Sequence, residues 1–483
     1  MKPKISTIIS VLAAALTLAN CAQNPVTGNP NFVTMSEAQE VQTGQQEDAK
    51  VRKQYGVYDN PALQQYVNEV GQKLARNSHR PGLRYSFVVV DSPEINAFAL
   101  PGGYIYITRG IMAYLNSEAE LAGVLGHEIG HVTARHSVQQ LSASTAANVG
   151  ASLIGIFVPA LRNQAGDTVV NLLGNVLLSG YGREHELEAD RLGAQYLARS
   201  GYDPQAMLKV IGVLKNQELF DAEVAKSENR QPRAYHGLFS SHPDSDTRLR
   251  QTVAEAGKPA SDATRLDQEE FLRRIDGMVF GDNPEQGVIR NDSFYHTGLG
   301  IAYAFPPGWR IRNFPDHVAA TSPTNDALMD LRSAGPAQGT PAEVLRKMLR
   351  ANAGSEIALT TINGLAAAST TVNMQGKPSR ATVVFLGKQA YMIGGQARDA
   401  QVMQRVLTEI NTSVASFRAL GDAERKLAQP LTLKVMNASK DTTFAELARN
   451  SPLGKNAVSH LRLINGLYPT GEPLTGLSLK VIE

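Results

Sequence analysis

The chain has 483 residues, of which 42% are hydrophobic, so it is long enough for about two to four domains with apolar cores. Its 47 basic and 45 acidic residues leave a formal net charge of +2. This balance, without any basic block, excludes an extended nucleic-acid surface, and no nucleic-acid partner is expected. The single cysteine, Cys21, excludes a fold held together by disulfides within the chain.

The N-terminal segment resembles a bacterial lipoprotein signal. A basic start at residues 1–4 precedes an apolar run, 5–18, that is too short to span a bilayer comfortably. The run ends at Leu-Ala-Asn-Cys, which resembles a lipoprotein cleavage box. We therefore expect residues 1–20 to be a signal peptide, Cys21 to be lipidated, and residues 21–34 to form a tether. Ala22 after the cysteine resembles an outer-membrane sorting signal, which implies an outer-membrane lipoprotein that faces the periplasm.

Residues 84–91 and 97–108 are rich in Val, Ile, Tyr and Phe and are predicted to be strands. Pro-Gly-Gly at 101–103 interrupts the second run, as expected of an edge strand or a bulge. An edge strand beside a catalytic site can bind an extended peptide by main-chain pairing. The predicted substrate-binding residues are those at the start of this run: Asn96, Ala97, Phe98 and Ala99. An ordinary core hairpin is the alternative.

A helix is predicted to begin at Ser117, because Ser117 and Glu120 have the spacing of a capping box. It carries His-Glu-Ile-Gly-His at 127–131, in which His127 and His131 are four residues apart and share one face. Two imidazoles, a neighbouring carboxylate base and an open coordination position are what zinc-assisted hydrolysis requires. We therefore predict that the two histidines bind zinc and that Glu128 acts on water. A chance match to the motif is the alternative.

Three glycines lie in the same predicted helix: Gly123, Gly126 and Gly130. Glycine lowers helix propensity, so a helix that contains three of them needs another reason for them. A buried helix with close neighbours provides that reason.

A third ligand is expected from a second buried helix, which follows Tyr181 and starts with an acidic cluster. Glu186 and Asp190 are four residues apart and share a face, whereas Glu188 points nearly the other way. Glu186 as a ligand, with Asp190 as the acceptor that orients a histidine, fits a carboxylate–histidine–zinc arrangement. A solvated acidic first turn is the alternative. His136 lies off the zinc-binding face of an ideal helix, so we interpret it as a solvated or hydrogen-bonded histidine rather than a ligand.

These motifs together resemble those of metallopeptidase family 48. The match comprises H-E-x-x-H at 127–131, E-x-x-A-D at 186–190 and Gly-Tyr-Asp-Pro at 201–204. Asn-Ala-Phe-Ala-Leu-Pro-Gly-Gly at 96–103 and Ser-His-Pro at 241–243 also match, with Arg248 after them. The family includes HtpX-type membrane proteases, CaaX prenyl proteases and periplasmic lipoproteins. The resemblance implies a mainly helical, zincin-type catalytic domain with a small sheet, over residues 35–256.

The resemblance also implies one zinc ion per chain. It assigns His127, His131 and Glu186 as the metal ligands and Glu128 as the general base. His242 matches the histidine that periplasmic relatives place over the metal. Its implied role is that of a regulatory fourth ligand, a transition-state donor or a loop anchor.

Two apolar runs, 149–161 and 169–178, follow the motif, and each is too short to span a bilayer. We interpret them as two helices that pack on the catalytic core and form a lid. A surface that dips into the membrane is the alternative.

The remaining chain is predicted to be α+β, which makes α+β the fold class of the whole protein. After a polar linker, residues 268–420 are expected to form an accessory domain, with strands at 298–305, 319–321, 381–386 and 389–394 and helices at 342–352 and 400–415. We find no catalytic constellation in this domain.

Residues 429–483 resemble a LysM module, a small βααβ unit that binds peptidoglycan. The match includes Asp441-Thr442 and Asn465-Gly466-Leu467. The resemblance makes peptidoglycan an expected partner. A small structural cap without a ligand is the alternative.

The combined prediction is a zinc-dependent endopeptidase of the bacterial cell envelope that acts in protein quality control. Its expected substrates are unfolded, misfolded or misassembled outer-membrane or periplasmic proteins, and its expected anchor is the outer membrane, through lipidated Cys21. The alternative is a chaperone-like or peptidoglycan-associated binding lipoprotein with a latent site. A histidine such as His242, filling the open zinc position, would silence hydrolysis.

Overall fold

The structure is a computed structural model that describes residues 21–28, 30–33, 35–143, 181–227, 266–349, 356–374 and 376–483. These residues form two compact units: the first contains the described part of Met1–Met278 together with Thr432–Glu483, and the second contains that of Val279–Leu431. The second unit, which corresponds to the expected accessory domain, therefore starts at Val279 rather than at residue 268.

The first unit begins with two short strands and then alternates helices with a small sheet. Its elements before the C-terminal segment are β1 (Cys21–Gln23), β2 (Pro30–Phe32), α1 (Glu37–Tyr55), α2 (Pro61–Arg76), β3 (Ser86–Val90), β4 (Ala97–Leu100), β5 (Tyr104–Thr108), α3 (Arg109–Met112), α4 (Glu118–Thr133), α5 (Arg183–Arg199), α6 (Gln205–Ser227) and α7 (Gln268–Ile275). Helix α7 packs against α2 and α4, which explains why the second unit begins after it. The expected tether contains the antiparallel hairpin β1–β2.

The small sheet has the strand order β3-β5-β4. Strand β5 pairs in parallel with β3 and antiparallel with β4, so both predicted strand runs are confirmed. Gly102 and Gly103 make the turn between β4 and β5 with φ of 80° and 94°. A Cβ on Gly102 would lie 2.7 Å from the Cα of Val41, so glycine is required there for space as well as for conformation. Strand β4 is therefore an edge strand of this sheet.

Helix α4 lies at the centre of the first unit, in contact with α2, α5, α6 and β4. Helix α2 shows how the sequence builds this packing, because its apolar residues recur at helical spacing and are buried: Leu63, Tyr66, Val67, Val70 and Leu74. Fifteen of the sixteen residues of α4 are buried, and only His127 is partly exposed. The motif helix is thus a core helix that reaches solvent at the motif.

The C-terminal segment of the first unit folds as strand, helix, helix, strand. Its elements are β18 (Leu431–Asn437), α11 (Phe444–Arg449), α12 (Ala457–Ile464) and β19 (Ser478–Ile482). The two strands pair antiparallel, with Leu433 opposite Ile482. This is the βααβ order that the sequence predicts.

The βααβ segment packs on the rest of the first unit through a buried lysine. Lys480 is fully buried, and its Nζ donates hydrogen bonds to the carbonyl oxygens of Ala113 (2.8 Å) and Leu115 (2.6 Å). Burial lowers the pKa of Lys480 to about 7. The Tyr114 hydroxyl and Nε2 of His460 on α12 are hydrogen-bonded at 3.0 Å, and the two rings stack. The segment therefore holds the loop from which α4 starts.

The second unit is a mixed α and β structure. Its elements are β6 (Val279–Phe280), β7 (Val288–Arg290), β8 (Ser293–His296), β9 (Ile301–Ala304), β10 (Arg310–Asn313), β11 (His317–Thr321), β12 (Ala327–Pro336), α8 (Pro341–Leu349), β13 (Ala358–Ile362), β14 (Leu365–Met374), β15 (Lys377–Leu386), β16 (Gln389–Ala397), α9 (Ala400–Ala415), β17 (Arg418–Ala419) and α10 (Asp422–Leu427). The predicted strands and helices of the accessory domain are confirmed among the described residues.

A seven-stranded antiparallel sheet, in the order β10-β11-β12-β16-β15-β14-β13, is the frame of the second unit. Neighbouring residues of a strand point to opposite faces, so Ile393 packs with α9 on one face and Met392 packs with α8 on the other. Both faces are therefore apolar. A strand that alternates apolar and polar residues predicts only one apolar face, so alternation does not predict a sheet that is apolar on both faces.

Among the described helices, none is long and apolar enough to cross a membrane. The signal peptide expected at 1–20, both apolar runs between 149 and 178, and His242 lie outside the described residues.

Candidate metal centre

Helix α4 begins as predicted at Ser117, whose hydroxyl accepts from the backbone N–H of Glu120 at 3.2 Å. The capping box itself is incomplete, since the Glu120 carboxylate accepts from the N–H of Asn116 at 2.7 Å instead. Glu118 is buried in the first turn and accepts from the hydroxyls of Tyr66 and Tyr202 at 2.9 and 2.6 Å. These bonds fix the start of the helix that carries the motif.

Gly130 of α4 and Gly193 of α5 allow the two helices to approach closely. A Cβ on Gly130 would lie 2.8 Å from the carbonyl oxygen of Ala189, and a Cβ on Gly193 would lie 3.0 Å from the backbone nitrogen of His127. The prediction of close neighbours is confirmed for Gly130 and for Gly126, whose Cβ would lie 2.8 Å from Cδ1 of Leu197, whereas the nearest atom to a Cβ on Gly123 would be 3.4 Å away. The close approach brings the acidic start of α5 to the motif face of α4.

His127, His131 and Glu186 form a cluster at this contact. The Nε2 atoms of the two histidines are 3.0 Å apart, and each lies 3.5 Å from a different oxygen of Glu186. Tetrahedral zinc, with bonds of about 2.0–2.2 Å, separates its ligand atoms by roughly 3.3 Å. Two imidazole nitrogens and one carboxylate at this spacing fit the first shell of a catalytic zinc ion.

Asp190 lies one turn beyond Glu186 on α5 and contacts the other side of His127. Its Oδ1 is 2.8 Å from Nδ1 of His127, which donates to the carboxylate and so presents Nε2 to the cluster. Burial lowers the pKa of His127, but hydrogen bonds to Asp190 and Glu186 outweigh it and raise the pKa well above its ordinary value. The same negative surroundings favour a metal cation.

Glu186 is 3% exposed and Asp190 is 8% exposed, so the alternative of a solvated acidic turn is wrong for both. Glu188 does leave the face that Glu186 and Asp190 share. Its carboxylate lies 3.2 Å from Nε2 of His136. Glu188 therefore belongs to the surroundings of the cluster, which its helical position alone did not indicate.

His136 reaches His131 because α4 ends before it. Arg135 adopts a left-handed conformation with φ of 59°, and a new helical stretch covers 136–143. The Nδ1 atom of His136 lies 2.9 Å from Nδ1 of His131. Burial lowers the pKa of His136, whereas the hydrogen bond from His136 lowers the pKa of Glu188. His136 is a buried, hydrogen-bonded histidine, and the solvated alternative is wrong.

Glu128 is fully buried on α4 next to His127. Together with burial, its charge raises the pKa of Tyr181, whose ring stacks on His131 at 4.0 Å between centroids. The carboxylate of Glu128 is therefore close enough to influence the ring that stacks on His131. Tyr181 also donates to or accepts from Ser137 at 2.6 Å.

The predicted substrate residues lie on the edge strand that α4 contacts. Ala97 and Ala99 are buried and pair with Ile107 and Ile105. Phe98 points the other way and stacks on Tyr106 with 4.9 Å between ring centroids. The carbonyl oxygen of Asn96 accepts from the N–H of Thr108 at 3.1 Å. Within the described residues, β4 pairs only with β5.

Gly130→Ala is expected to lower stability by about 1–3 kcal/mol and to weaken metal binding, because the new methyl group would press against the backbone of α5. Gly123→Ala is the matched control on the same helix. Its Cβ would meet only Met207, at 3.4 Å or more, and alanine improves helix propensity by about 1 kcal/mol. Thermal unfolding and zinc content measure both effects. Equal stability of the two variants would contradict this account of the helix contact.

Comparison with known proteins agrees with this geometry. Residues 61–256 match the family model described as peptidase family M48. The chain is 31% identical over 326 residues to the beta-barrel assembly-enhancing protease of Yersinia pestis, a match that covers 64% of this chain and 65% of that protein. It is 30% identical over 259 residues to the protein of the same name from Escherichia coli, with 50% of each chain covered.

A mitochondrial relative is also similar. The metalloendopeptidase OMA1 of Arabidopsis thaliana is 32% identical over 159 residues, which cover 33% of this chain and 31% of that protein. The matches to the two bacterial relatives thus span between half and two thirds of those proteins' length. Peptidase family M48, the family that the sequence motifs resemble, is therefore the family whose model matches residues 61–256 of this chain.

Proposed function

We propose that this protein is a zinc-dependent endopeptidase of the bacterial cell envelope. One observation carries the proposal. The Nε2 atoms of His127 and His131 and the carboxylate of Glu186 converge to within 3.0–3.5 Å of one another, and Glu128 is buried beside His127. One zinc ion per chain fits this donor set.

Zinc, when bound, would supply the Lewis acidity that polarises a scissile carbonyl group and makes water a better nucleophile at neutral pH. The chain's own contribution to the reaction is Glu128, which accepts a proton from the attacking water and passes it to the leaving amine. Asp190 holds His127 in place during these proton transfers, through its 2.8 Å hydrogen bond. His242, which the structure does not describe, would act as a fourth ligand, a transition-state donor or a loop anchor.

The proposed substrates are misfolded or misassembled outer-membrane and periplasmic proteins. The edge strand β4, which α4 contacts, supports extended peptides as substrates, because main-chain pairing requires a segment without structure of its own. The two bacterial relatives are named for enhancing the assembly of β-barrels. An unassembled barrel exposes such extended segments.

Cleavage of an outer-membrane barrel protein in two states tests this proposal. We expect the zinc-loaded protein to cut the urea-unfolded barrel and casein, to leave the folded barrel intact, and to stop in 1,10-phenanthroline until zinc is restored. If the zinc-loaded protein cuts neither substrate but suppresses aggregation of the unfolded barrel, the latent, chaperone-like alternative is correct instead.

The proposed location is the outer membrane, through a lipid on Cys21. The support is the apolar run at 5–18 and the Leu-Ala-Asn-Cys sequence that ends it. Mass spectrometry of the N-terminus of the membrane-associated protein measures the modification directly. An unmodified cysteine, or cleavage elsewhere, would remove the anchor.

Peptidoglycan is a proposed second contact of the βααβ segment. A groove of about 480 Å³ opens there, and its polar lining comes mainly from the loop after β18 and from α11: Ser439, Asp441, Thr442, Thr443, Glu446 and Asn450. Sedimentation with purified sacculi should be lost in Asp441→Ala if the groove binds glycan. Unchanged sedimentation would leave the segment as a structural part only.

A further inference from the structure

We propose that His136, held by Glu188, is a positioning residue that keeps His131 in the one tautomer able to bind the metal. The inference rests on the metal site of the proposed function. It is carried by a chain of three buried or half-buried groups: Glu188 Oε2 lies 3.2 Å from Nε2 of His136, and Nδ1 of His136 lies 2.9 Å from Nδ1 of His131.

The direction of these two hydrogen bonds follows from the acceptor at one end, Glu188. A carboxylate can only accept, so the Nε2 atom of His136 must carry the hydrogen that Glu188 receives. A metal ion on Nε2 of His131 requires a lone pair there, so the one hydrogen of a neutral His131 ring is on Nδ1. That N–H group faces Nδ1 of His136 at 2.9 Å, so Nδ1 of His136 accepts, and the hydrogen of the His136 ring is on the Nε2 atom that faces Glu188.

Two other placements of the ring hydrogens are inconsistent with the distances. If Nδ1 of His136 carried the hydrogen, its Nε2 would turn a lone pair toward the Glu188 carboxylate at 3.2 Å. If both Nδ1 atoms carried hydrogens, two N–H groups would face each other at 2.9 Å. Both arrangements are repulsive in a buried site. With both rings neutral, only one direction satisfies all three groups and presents the Nε2 lone pair of His131 to the metal.

Ring stacking holds His131 and His136 in the orientation that their hydrogen bonds require. Tyr181 stacks on His131 with 4.0 Å between centroids and 18° between planes, and His185 stacks on His136 at 4.3 Å and 20°. The left-handed backbone at Arg135 turns the chain so that His136 points back to the helix it has just left. Neither ring can rotate without losing these contacts.

The two histidine ligands are therefore held differently. His127 donates directly to the carboxylate of Asp190. His131 donates instead to the imidazole of His136, which in turn donates to the carboxylate of Glu188. Losing an outer-sphere partner of a metal-binding histidine typically weakens metal binding about 10–100-fold. A histidine that merely filled space would have no such effect.

Zinc affinity of the full-length protein, measured by competition with a chromophoric chelator, tests the inference. His136→Leu removes the acceptor and should weaken zinc binding about 10–100-fold. His136→Gln keeps an amide oxygen for His131 and an N–H group for Glu188, and its affinity should stay within a few-fold of wild type. The absorption spectrum of the cobalt-loaded protein should change in His136→Leu and be preserved in His136→Gln.

Thermal unfolding of the metal-free variants separates positioning from packing. We expect His136→Leu and His136→Gln to differ in zinc affinity by far more than they differ in metal-free stability. Wild-type zinc affinity in His136→Leu, or equal losses of affinity in both variants, would overturn the positioning role while leaving the zinc site itself in place. Absence of zinc binding by the wild-type protein would instead overturn the proposed function.

Discussion

Glu128→Gln is expected to retain zinc and to lose peptide cleavage by a factor of about 10²–10⁴. Glutamine has nearly the same shape as glutamate, so it fits the fully buried position of Glu128 on α4. It cannot accept a proton from water, and the leaving amine then has no group from which to take one. The ligands His127, His131 and Glu186 are unchanged, which is why the metal should stay bound.

The measurement is kcat/KM on an unfolded substrate, with zinc content determined on the same sample. Glu118→Gln is a matched control, since Glu118 is also a buried glutamate of α4 but bonds Tyr66 and Tyr202 at the other end of the helix. We expect that variant to keep its cleavage rate within a few-fold and to lose some stability. Near-normal turnover by zinc-replete Glu128→Gln would contradict the assignment of Glu128 as the base.

Removal of residues 432–483 is expected to destabilise the rest of the first unit, although the segment resembles a LysM module. The deletion takes away both hydrogen bonds from Lys480 and leaves the carbonyl groups of Ala113 and Leu115 without these donors. Water replaces these donors once the segment is gone, so the net loss is about 0.5–1.5 kcal/mol for each hydrogen bond. Apolar side chains are lost as well: Leu461, Leu463, Ile464, Leu479 and Ile482 are buried.

We expect the melting temperature of the shortened protein to fall by about 10 °C or more. Lys480→Met isolates the hydrogen bonds, because it keeps the segment and removes only the amine, and its loss should be smaller. Asp441→Ala, in the groove of the same segment, should leave melting temperature and cleavage unchanged. Wild-type stability and turnover in the shortened protein would show that the segment is an independent tether.

The pH dependence of stability tests the contact that the buried amine of Lys480 makes with the loop before α4. Folded Lys480 has its pKa lowered to about 7, while an unfolded lysine keeps its proton up to pH of about 10. Between pH 7.5 and 9 the folded state therefore binds fewer protons than the unfolded state, so stability rises with pH. The rise should be at most about 1.4 kcal/mol per pH unit, and Lys480→Met should lack it. If the stability of the wild-type protein and of Lys480→Met changed equally with pH, the result would contradict the burial of this amine.

Local sequence patterns were enough for much of the fold. The helix that carries the motif, the strands at 86–90 and 97–100, and the long strands and helix between 377 and 415 all follow from periodicity and turn residues. Gly130 of α4 also indicated the close helix contact, since the backbone of α5 leaves no room for a Cβ there. The capping box was predicted only in part, because the sequence did not show that the Glu120 carboxylate bonds Asn116 rather than Ser117.

The sequence by itself determined the chemistry of the candidate site: two histidines one turn apart, a glutamate beside the first, and a carboxylate pair on a second helix. Spacing within a helix is enough for that, since residues four apart share a face. Tertiary structure decided which distant groups meet. The turn at Arg135 brings His136 to His131, the approach of α5 brings Glu188 to His136, and folding of the C-terminal segment buries Lys480 against the loop before α4. These contacts join residues up to 367 positions apart in the chain, and no local periodicity encodes a pairing at that distance.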